Sequence, residues 1–260
     1  MALAGCASAQ PGAFELGLIG DTPYSTSEVK RLDSLIDEMN GERLDVVVHV
    51  GDIGAGRRVC TDAWLDARKA QFARIRHPFV AVPGDNEWTD CAAQAERLAA
   101  WRKRFCAAPF PVQTQPGEYC EHHRWQAAGL LFVTLNVPGT NNNRRDPEER
   151  ARRMKAVFSW IDESAAIAER RGLTLMLFMQ ADPFVALPED NYGELRRTMK
   201  RLGEEMPGKV ILVHGDTHVW QDDSPWPGVR RIEVWGAPWV SYLRAEVTRG
   251  AVGFTEPRYR

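Results

Sequence analysis

An α/β fold built around a mainly parallel sheet is predicted by three features of this sequence. The chain contains four Gly-Asp pairs, and each closes an apolar, strand-like run: LGLIGD ends at Asp21, LDVVVHVGD at Asp52, FVAVPGD at Asp85 and VILVHGD at Asp216. The first three of these runs are each followed by helical periodicity, giving a strand, Gly-Asp, helix order that is the mark of right-handed βαβ units. The C-terminal stretch VRRIEVWGAPWVSYLRAEVTRGAVGF alternates apolar and polar residues without helix signals, and so reads as antiparallel strands. Continuous β-branched runs bounded by Gly suit strands buried on both faces. Four such ends in one parallel sheet gather four carboxylates at its carboxyl edge, where open α/β sheets place their sites. Carboxylates held that close repel unless protons or cations lie between them.

The elements follow in order. After the strand Leu16 to Ile19, the helix beginning near Ser25 places Val29, Leu32, Leu35, Ile36 and Met39 on one face, with Gly41 as its stop. A strand Val46 to Val50 leads to a helix from about Thr61 to Ile75. A strand Phe79 to Val82 leads through GDNEWTDC to an Ala-rich helix over Cys91 to Phe105. Residues 107–124, with several prolines, form an ordered loop or hairpin. LLFVTLN, ending at Asn136, resumes the strand pattern and enters the turn-rich PGTNNNRR. Asp146 and Pro147 then open the longest helix, which runs to about Arg171. Leu173 to Met179 is a further buried strand, QADPF a bulge-like turn, and Leu195, Met199, Leu202 and Met206 line a last helix.

Bulk properties narrow the function. With 260 residues and 44% hydrophobic content, the chain suits one large domain over residues 13–260, preceded by a short tail over residues 1–12. Lys and Arg total 33 against 35 Asp and Glu, so no basic excess argues for nucleic acid. The longest apolar runs fall short of the roughly 20 residues of a spanning helix.

The tail reads LAGCASAQ, which resembles a bacterial lipobox with Cys6 as the lipid-bearing residue; Ala7, Ser8 and Ala9 also suit ordinary signal cleavage. An exported, periplasmic or envelope location follows from either reading. The other cysteines are Cys60, Cys91, Cys106 and Cys120, with no C-x-x-C pair to suggest a zinc ribbon. Four cysteines suit an oxidising compartment. Three pairings are open; Cys60 with Cys91 and Cys106 with Cys120 is preferred because each closes a short segment.

GDTPYS at Gly20, GDIG at Gly51, GDNEW at Gly84, MQADPF at Met179 and GDTH at Gly215 stand in the order and approximate spacing of the five motifs of calcineurin-like metallophosphoesterases, and the chain is similar to that family from Leu16 to about Val247. The resemblance implies a four-layer α/β/β/α sandwich holding two divalent ions, and hydrolysis of a phosphate mono- or diester by a metal-bound hydroxide. Asp21 matches the first-metal aspartate, Asp52 the bridging aspartate, Asp85 the metal-binding asparagine of the GNH motif and His218 the last histidine of GHxH. Asp216 stands at the first histidine of that motif.

The departures are as informative. Pro23 and Asn86 replace two histidines, the second of them catalytic, and the fourth-motif histidine is absent around Gln180, Ala181 and Asp182. Such an oxygen-rich set, with Asp21, Asp52, Asp85, Asp216 and His218 as ligands, favours Mn²⁺, Mg²⁺ or Ca²⁺ over Zn²⁺. Tyr24 resembles the iron-binding tyrosine region of purple acid phosphatases, which leaves iron open.

Asn86, Glu87 and Asp52 are the catalytic candidates, Asn86 to orient phosphate or water and Glu87 to ligate or carry a proton. Asn136, Asn142, Arg144 and Gln180 are candidates for binding a small phosphorylated substrate, as are the neighbouring Asn141, Asn143 and Arg145. Trp88 and Trp220 suit either ring stacking or packing. His49 and His214, inside apolar strands, read as core residues. The lost histidines support a second reading, a catalytically weak or inactive binding module of the bacterial envelope. A third reading leaves the carboxylates as helix caps in a structural lipoprotein.

Overall fold

The computed structural model describes residues 13–255 except 57 and 188. The elements are β1 (Phe14–Ile19), α1 (Thr26–Gly41), β2 (Val46–His49), α2 (Asp62–Phe72), β3 (Phe79–Ala81), α3 (Gln94–Phe105), β4 (Gln113–Thr114), β5 (His123–Ala127), β6 (Leu130–Thr134), α4 (Gly139–Asn143), α5 (Pro147–Arg171), β7 (Thr174–Phe178), α6 (Gly193–Glu205), β8 (Val210–His214), β9 (Gln221–Trp226), β10 (Val229–Glu233), β11 (Leu243–Thr248) and β12 (Ala251–Thr255).

Helix starts follow local chemistry. Ser25 caps α1 by accepting from the Glu28 amide, Thr61 caps α2 through the Trp64 amide, and Asp146 caps α5 through the Glu149 amide, with Gly172 closing α5 in the left-handed region. The third helix begins at Gln94, later than expected, because the residues after Asp85 fold into turns.

Two sheets result. One has the order β12-β11-β1-β2-β3, with β1, β2 and β3 parallel and the C-terminal pair antiparallel. The other has the order β4-β5-β6-β7-β8-β10-β9, with β6, β7, β8 and β10 parallel. The strand run expected as one parallel series is therefore divided: the strands after α3 start a second sheet. The C-terminal strands are divided too. The β9–β10 hairpin extends the second sheet, where β10 runs parallel to β8, while β11 returns to pair with β1 at Leu16 and Ala245.

Alternate residues of each strand serve opposite layers, the physical reason for the unbroken apolar runs. Leu16, Leu18, Val46 and Val48 of the first sheet meet Phe132, Met176, Phe178, Val213 and Ile232 of the second. Ile19, Val47 and Ala81 face outward onto Leu32, Ile36, Leu65, Phe72 and Trp101 of α1, α2 and α3. On the other side Leu131, Val133, Leu175 and Leu212 pack on Val157, Trp160, Ile161, Leu195 and Met199 of α5 and α6. The order of layers is thus helix, sheet, sheet, helix. Two disulfides, Cys60–Cys91 and Cys106–Cys120, match the preferred pairing; Cys6 lies outside the described residues.

Candidate metal centre

All four Gly-Asp pairs lie just beyond the carboxyl ends of parallel strands β1, β2, β3 and β8, and the two sheets meet there. Glycine is required at two of these contacts. A β-carbon on Gly215 would fall 2.0 Å from Asp21 Oδ2, and one on Gly84 2.0 Å from Asp52 Oδ1. Asp21, Asp52 and Asp216 all have positive φ, at 48°, 60° and 88°, as does His218 at 65°. Strain of this kind collects at functional sites.

Each carboxylate has defined partners. Asp21 accepts from the Asp216 amide at 3.1–3.2 Å. Asp52 Oδ1 accepts from the Asn86 backbone amide at 3.1 Å, and its Oδ2 accepts from the Asn86 side-chain amide and the Tyr24 hydroxyl, both at 2.8 Å. Thr140 donates its hydroxyl to Asp85 Oδ2. Asp216 accepts from Gln180 Nε2 at 3.3 Å and from the Asp182 amide at 3.0 Å. His218 Nδ1 lies 2.7 Å from the Ala237 carbonyl, to which it donates, and this turns Nε2 toward Asp21 Oδ1, 3.8 Å away.

The electrostatics show what is missing. Burial, then repulsion from Asp216, holds Asp21 well above the usual carboxylate range. Burial, then Asp85 and Glu87, does the same to Asp52. Asp85 is raised by burial, and Asp216 is pushed up to about 7 by burial and by Asp85. Among the described residues no Lys or Arg pairs with any of the four.

A divalent cation fits this donor set in charge and chemistry, since buried carboxylates without a Lys or Arg counter-charge, beside an imidazole, are what such an ion satisfies. The geometry is more open than a closed coordination shell. Among the described residues, three ligand-type atoms lie within 4.8 Å of one another only at Cys106, Cys120 and Glu121, and those sulfurs are joined in a disulfide.

The other candidates are distributed unevenly. Asn86 is half-buried and lines a cleft of about 650 Å³ with Gly56, Cys60, Asp90, Cys91 and Arg145. Glu87, fully buried beside Asp52, accepts the Ile53 and Gly84 amides and ties the two Gly-Asp loops together. Asn136, Asn142 and Gln180, expected to meet substrate, are all fully buried. Asn136 donates to Glu121 at 2.7 Å, Asn142 Oδ1 accepts from Arg153 at 2.8 Å, and Gln180 bridges the Gly139 amide and Asp216. Most of their polar groups bond within the protein, while the buried Asn136 Oδ1 has no partner among the described residues. Arg144 is exposed at a separate hollow with Thr140, Leu187 and Glu189.

Trp88 is buried, and Trp220 half-buried against the inter-sheet core. His49 and His214 are fully buried, as their strand setting implied, and burial pushes both down to about 4.

Sequence reasoning missed Thr140, Gly139, Tyr192 and Arg153, which build the wall beside Asp85 and Asp216. The one signal for that wall was the run Asn141, Asn142, Asn143 after a glycine, because Asn tolerates left-handed backbone.

No protein-family model and no curated protein matches this chain. Solved structures do. A dimetal phosphatase from Danio rerio is 15% identical, with 95% of this chain and 96% of that one covered and a TM-score of 0.73. Purple acid phosphatase PPD1 from yellow lupin is 13% identical over 95% of this chain and 52% of its own, at a TM-score of 0.67, so this chain spans about half of that enzyme. GAP50, described as the anchor in the inner membrane complex of Plasmodium, is 11% identical over 94% of this chain and 84% of its own, at 0.62. Together these define the fold class: the chain has the calcineurin-like metallophosphoesterase fold.

Proposed function

We propose that this chain is an exported phosphoesterase that depends on a divalent cation, Mn²⁺, Mg²⁺ or Ca²⁺ before Zn²⁺, and hydrolyses a phosphate mono- or diester. The observation that carries this reading is the approach of His218 Nε2 to Asp21 Oδ1 at 3.8 Å, amid three further buried carboxylates without a Lys or Arg partner among the described residues. Asp21, Asp52, Asp85, Asp216 and His218 are the ligand candidates. A cation bound there supplies a Lewis acid that offsets phosphate charge and lowers the pKa of water.

The chain's own groups do the positioning. Asn86, through its bonds to Asp52 and Tyr24, holds the central carboxylate in place at the cleft mouth. Arg145 shares that cleft and carries the guanidinium best placed for a phosphate oxygen; Arg144 is less suited, because its hollow contains Glu189. Glu87 acts as the clasp between loops. Two disulfides support export, with Cys6 as the proposed lipid anchor.

A second reading, a non-catalytic envelope binding module, draws on Asn86 standing where the family has its catalytic histidine. GAP50 carries the same fold and is described as an anchor. Assays with p-nitrophenyl phosphate and bis-p-nitrophenyl phosphate under each cation decide between the two. Turnover that chelation and Asp52→Asn both abolish supports the enzyme. Cation binding with no turnover of either ester rejects it in favour of the module.

A further inference from the structure

Two hollows open beside the buried carboxylates. One is the cleft of about 650 Å³ that Asn86 lines with Gly56, Cys60, Asp90, Cys91 and Arg145. The other holds Thr140, Asn141, Arg144, Leu187 and Glu189. Each reaches the centre through one residue: Asn86 donates to Asp52 Oδ2 at 2.8 Å, and Thr140 gives its hydroxyl hydrogen to Asp85 Oδ2. Both offer space to the part of a substrate that lies beyond the reacting phosphorus.

No side chain lining either hollow can hand a proton to a leaving oxygen. Asp90 and Glu189 are exposed carboxylates, and Cys60 and Cys91 are joined in a disulfide. Asn86 is an amide, which donates hydrogen bonds but not protons, and a guanidinium does not deprotonate. The phenols nearby are committed, Tyr24 donating to Asp52 Oδ2 and Tyr192 to Pro138 O, both at 2.8 Å. All six imidazoles lie away from both hollows. His49, His122, His123 and His214 are buried and bonded within the protein. His77 sits 2.8 Å from Met39 O, and His218 donates to Ala237 O beside Asp21.

What both hollows do carry is positive charge. Arg144 and Arg145 are exposed, and neither has a hydrogen-bonded or ion-paired partner among the described residues. Arg145 is the better placed, because its cleft is the one that Asn86 joins to Asp52.

This combination selects among leaving groups. In hydrolysis a water oxygen bonds to phosphorus and its proton goes to solvent, while the P–O bond to the leaving oxygen breaks and the electron pair stays on that oxygen. An alkoxide is about as basic as hydroxide, whose conjugate acid has a pKa of about 15.7, so it leaves slowly without a proton donor. A phosphate, with a second pKa of about 6, leaves as a stable anion and calls for a cation to receive it.

We infer that the bond this chain cleaves best is a phosphoric anhydride, with the departing phosphate received by Arg145 in the Asn86 cleft. The inference rests on the hydrolytic reading above and narrows its substrate to compounds that carry a diphosphate linkage. Steady-state hydrolysis by the full chain with Mn²⁺ tests it, with inorganic pyrophosphate, p-nitrophenyl phosphate and ethyl phosphate as substrates. Pyrophosphate is expected to exceed ethyl phosphate in kcat/KM by at least about 100-fold, the low end of what general acid catalysis supplies. Arg145→Ala should lower the ratio of kcat/KM for pyrophosphate to that for p-nitrophenyl phosphate by about tenfold or more, since only pyrophosphate has a phosphate as its leaving group. The same variant should weaken calorimetric binding of methylenediphosphonate, which cannot be hydrolysed, by about tenfold, with Arg145→Lys recovering part of the loss. Ethyl phosphate cleaved at a higher relative rate, pyrophosphate left intact while p-nitrophenyl phosphate turns over, or an Arg145→Ala variant unchanged in both measures overturns the anhydride inference alone. No turnover of any of the three compounds overturns the hydrolytic reading and this inference with it.

Discussion

The Tyr24 hydroxyl donates to Asp52 Oδ2 at 2.8 Å and accepts from Asn86 Nδ2 at 3.0 Å, so a phenol closes a three-residue ring with the central carboxylate and the residue in the catalytic-histidine position. Burial and the neighbouring Asp52 push the Tyr24 hydroxyl well above its usual range, so it stays a donor. Tyr24→Phe removes a hydrogen bond to a buried, charge-bearing group. It should cost about 1.5–3 kcal/mol in urea denaturation of the chelated protein. An unchanged midpoint would mean that the ring contributes nothing to the fold.

Glu87 looks catalytic by its place in GDNEW but is tied to backbone. Replacing it with Ala leaves the buried Ile53 and Gly84 amides without their acceptor, and each orphaned group costs about 1–3 kcal/mol. A loss of roughly 2–6 kcal/mol is expected, with Glu87→Gln losing less because one carbonyl oxygen remains. If Glu87→Ala is as stable as wild type yet inactive, the residue is a chemical participant and the clasp reading is wrong.

What the sequence made legible follows from what is local. The Gly-Asp ends and the caps at Ser25, Thr61 and Asp146 depend on neighbours within a turn, and the disulfide guess rested on short spans. Sheet membership depends on pairing between distant strands, such as Leu16 with Ala245, and no local pattern contains it. The same limit applies to Asn136, Asn142 and Gln180. A polar side chain that meets substrate and one that ties a loop from inside are the same letter, and only Glu121, Arg153 and Gly139 decide which it is.

Buried acids also set the pH response. Glu87, Asp216 and Glu233 are each pushed up to about 7, burial being the first cause in all three, from ordinary values of 4.5, 3.8 and 4.5. Between those ordinary values and about 7 the folded chain keeps protons that the unfolded chain has released, so stability falls as pH rises through this window. The melting temperature of chelated protein should therefore drop from about pH 6.5, above which the buried His49, His122 and His214, held down at about 4, no longer pull the other way, to about pH 8, and Mn²⁺ at the upper end should raise it again by binding the folded state. A flat profile in chelator would show that these carboxyls titrate normally.

The Cys60–Cys91 bridge joins the loop after β2 to the turns after β3, and so ties the Asp52 loop to the one that presents Asp85 and Asn86. It closes 31 residues, against 14 for Cys106–Cys120. Loop-closure entropy alone assigns about 3.7 kcal/mol to a loop of the first size and about 3 kcal/mol to one of the second. The two thus stabilise the fold to similar degrees, but only the first borders the cleft that Asn86 lines. Cys60→Ala with Cys91→Ala should lower stability by about 3–4 kcal/mol and weaken Mn²⁺ binding at a temperature where the variant is still folded. Cys106→Ala with Cys120→Ala should lower stability comparably and leave Mn²⁺ affinity in place. Equal effects on affinity would mean that the bridge beside Asn86 acts on the centre only through global stability.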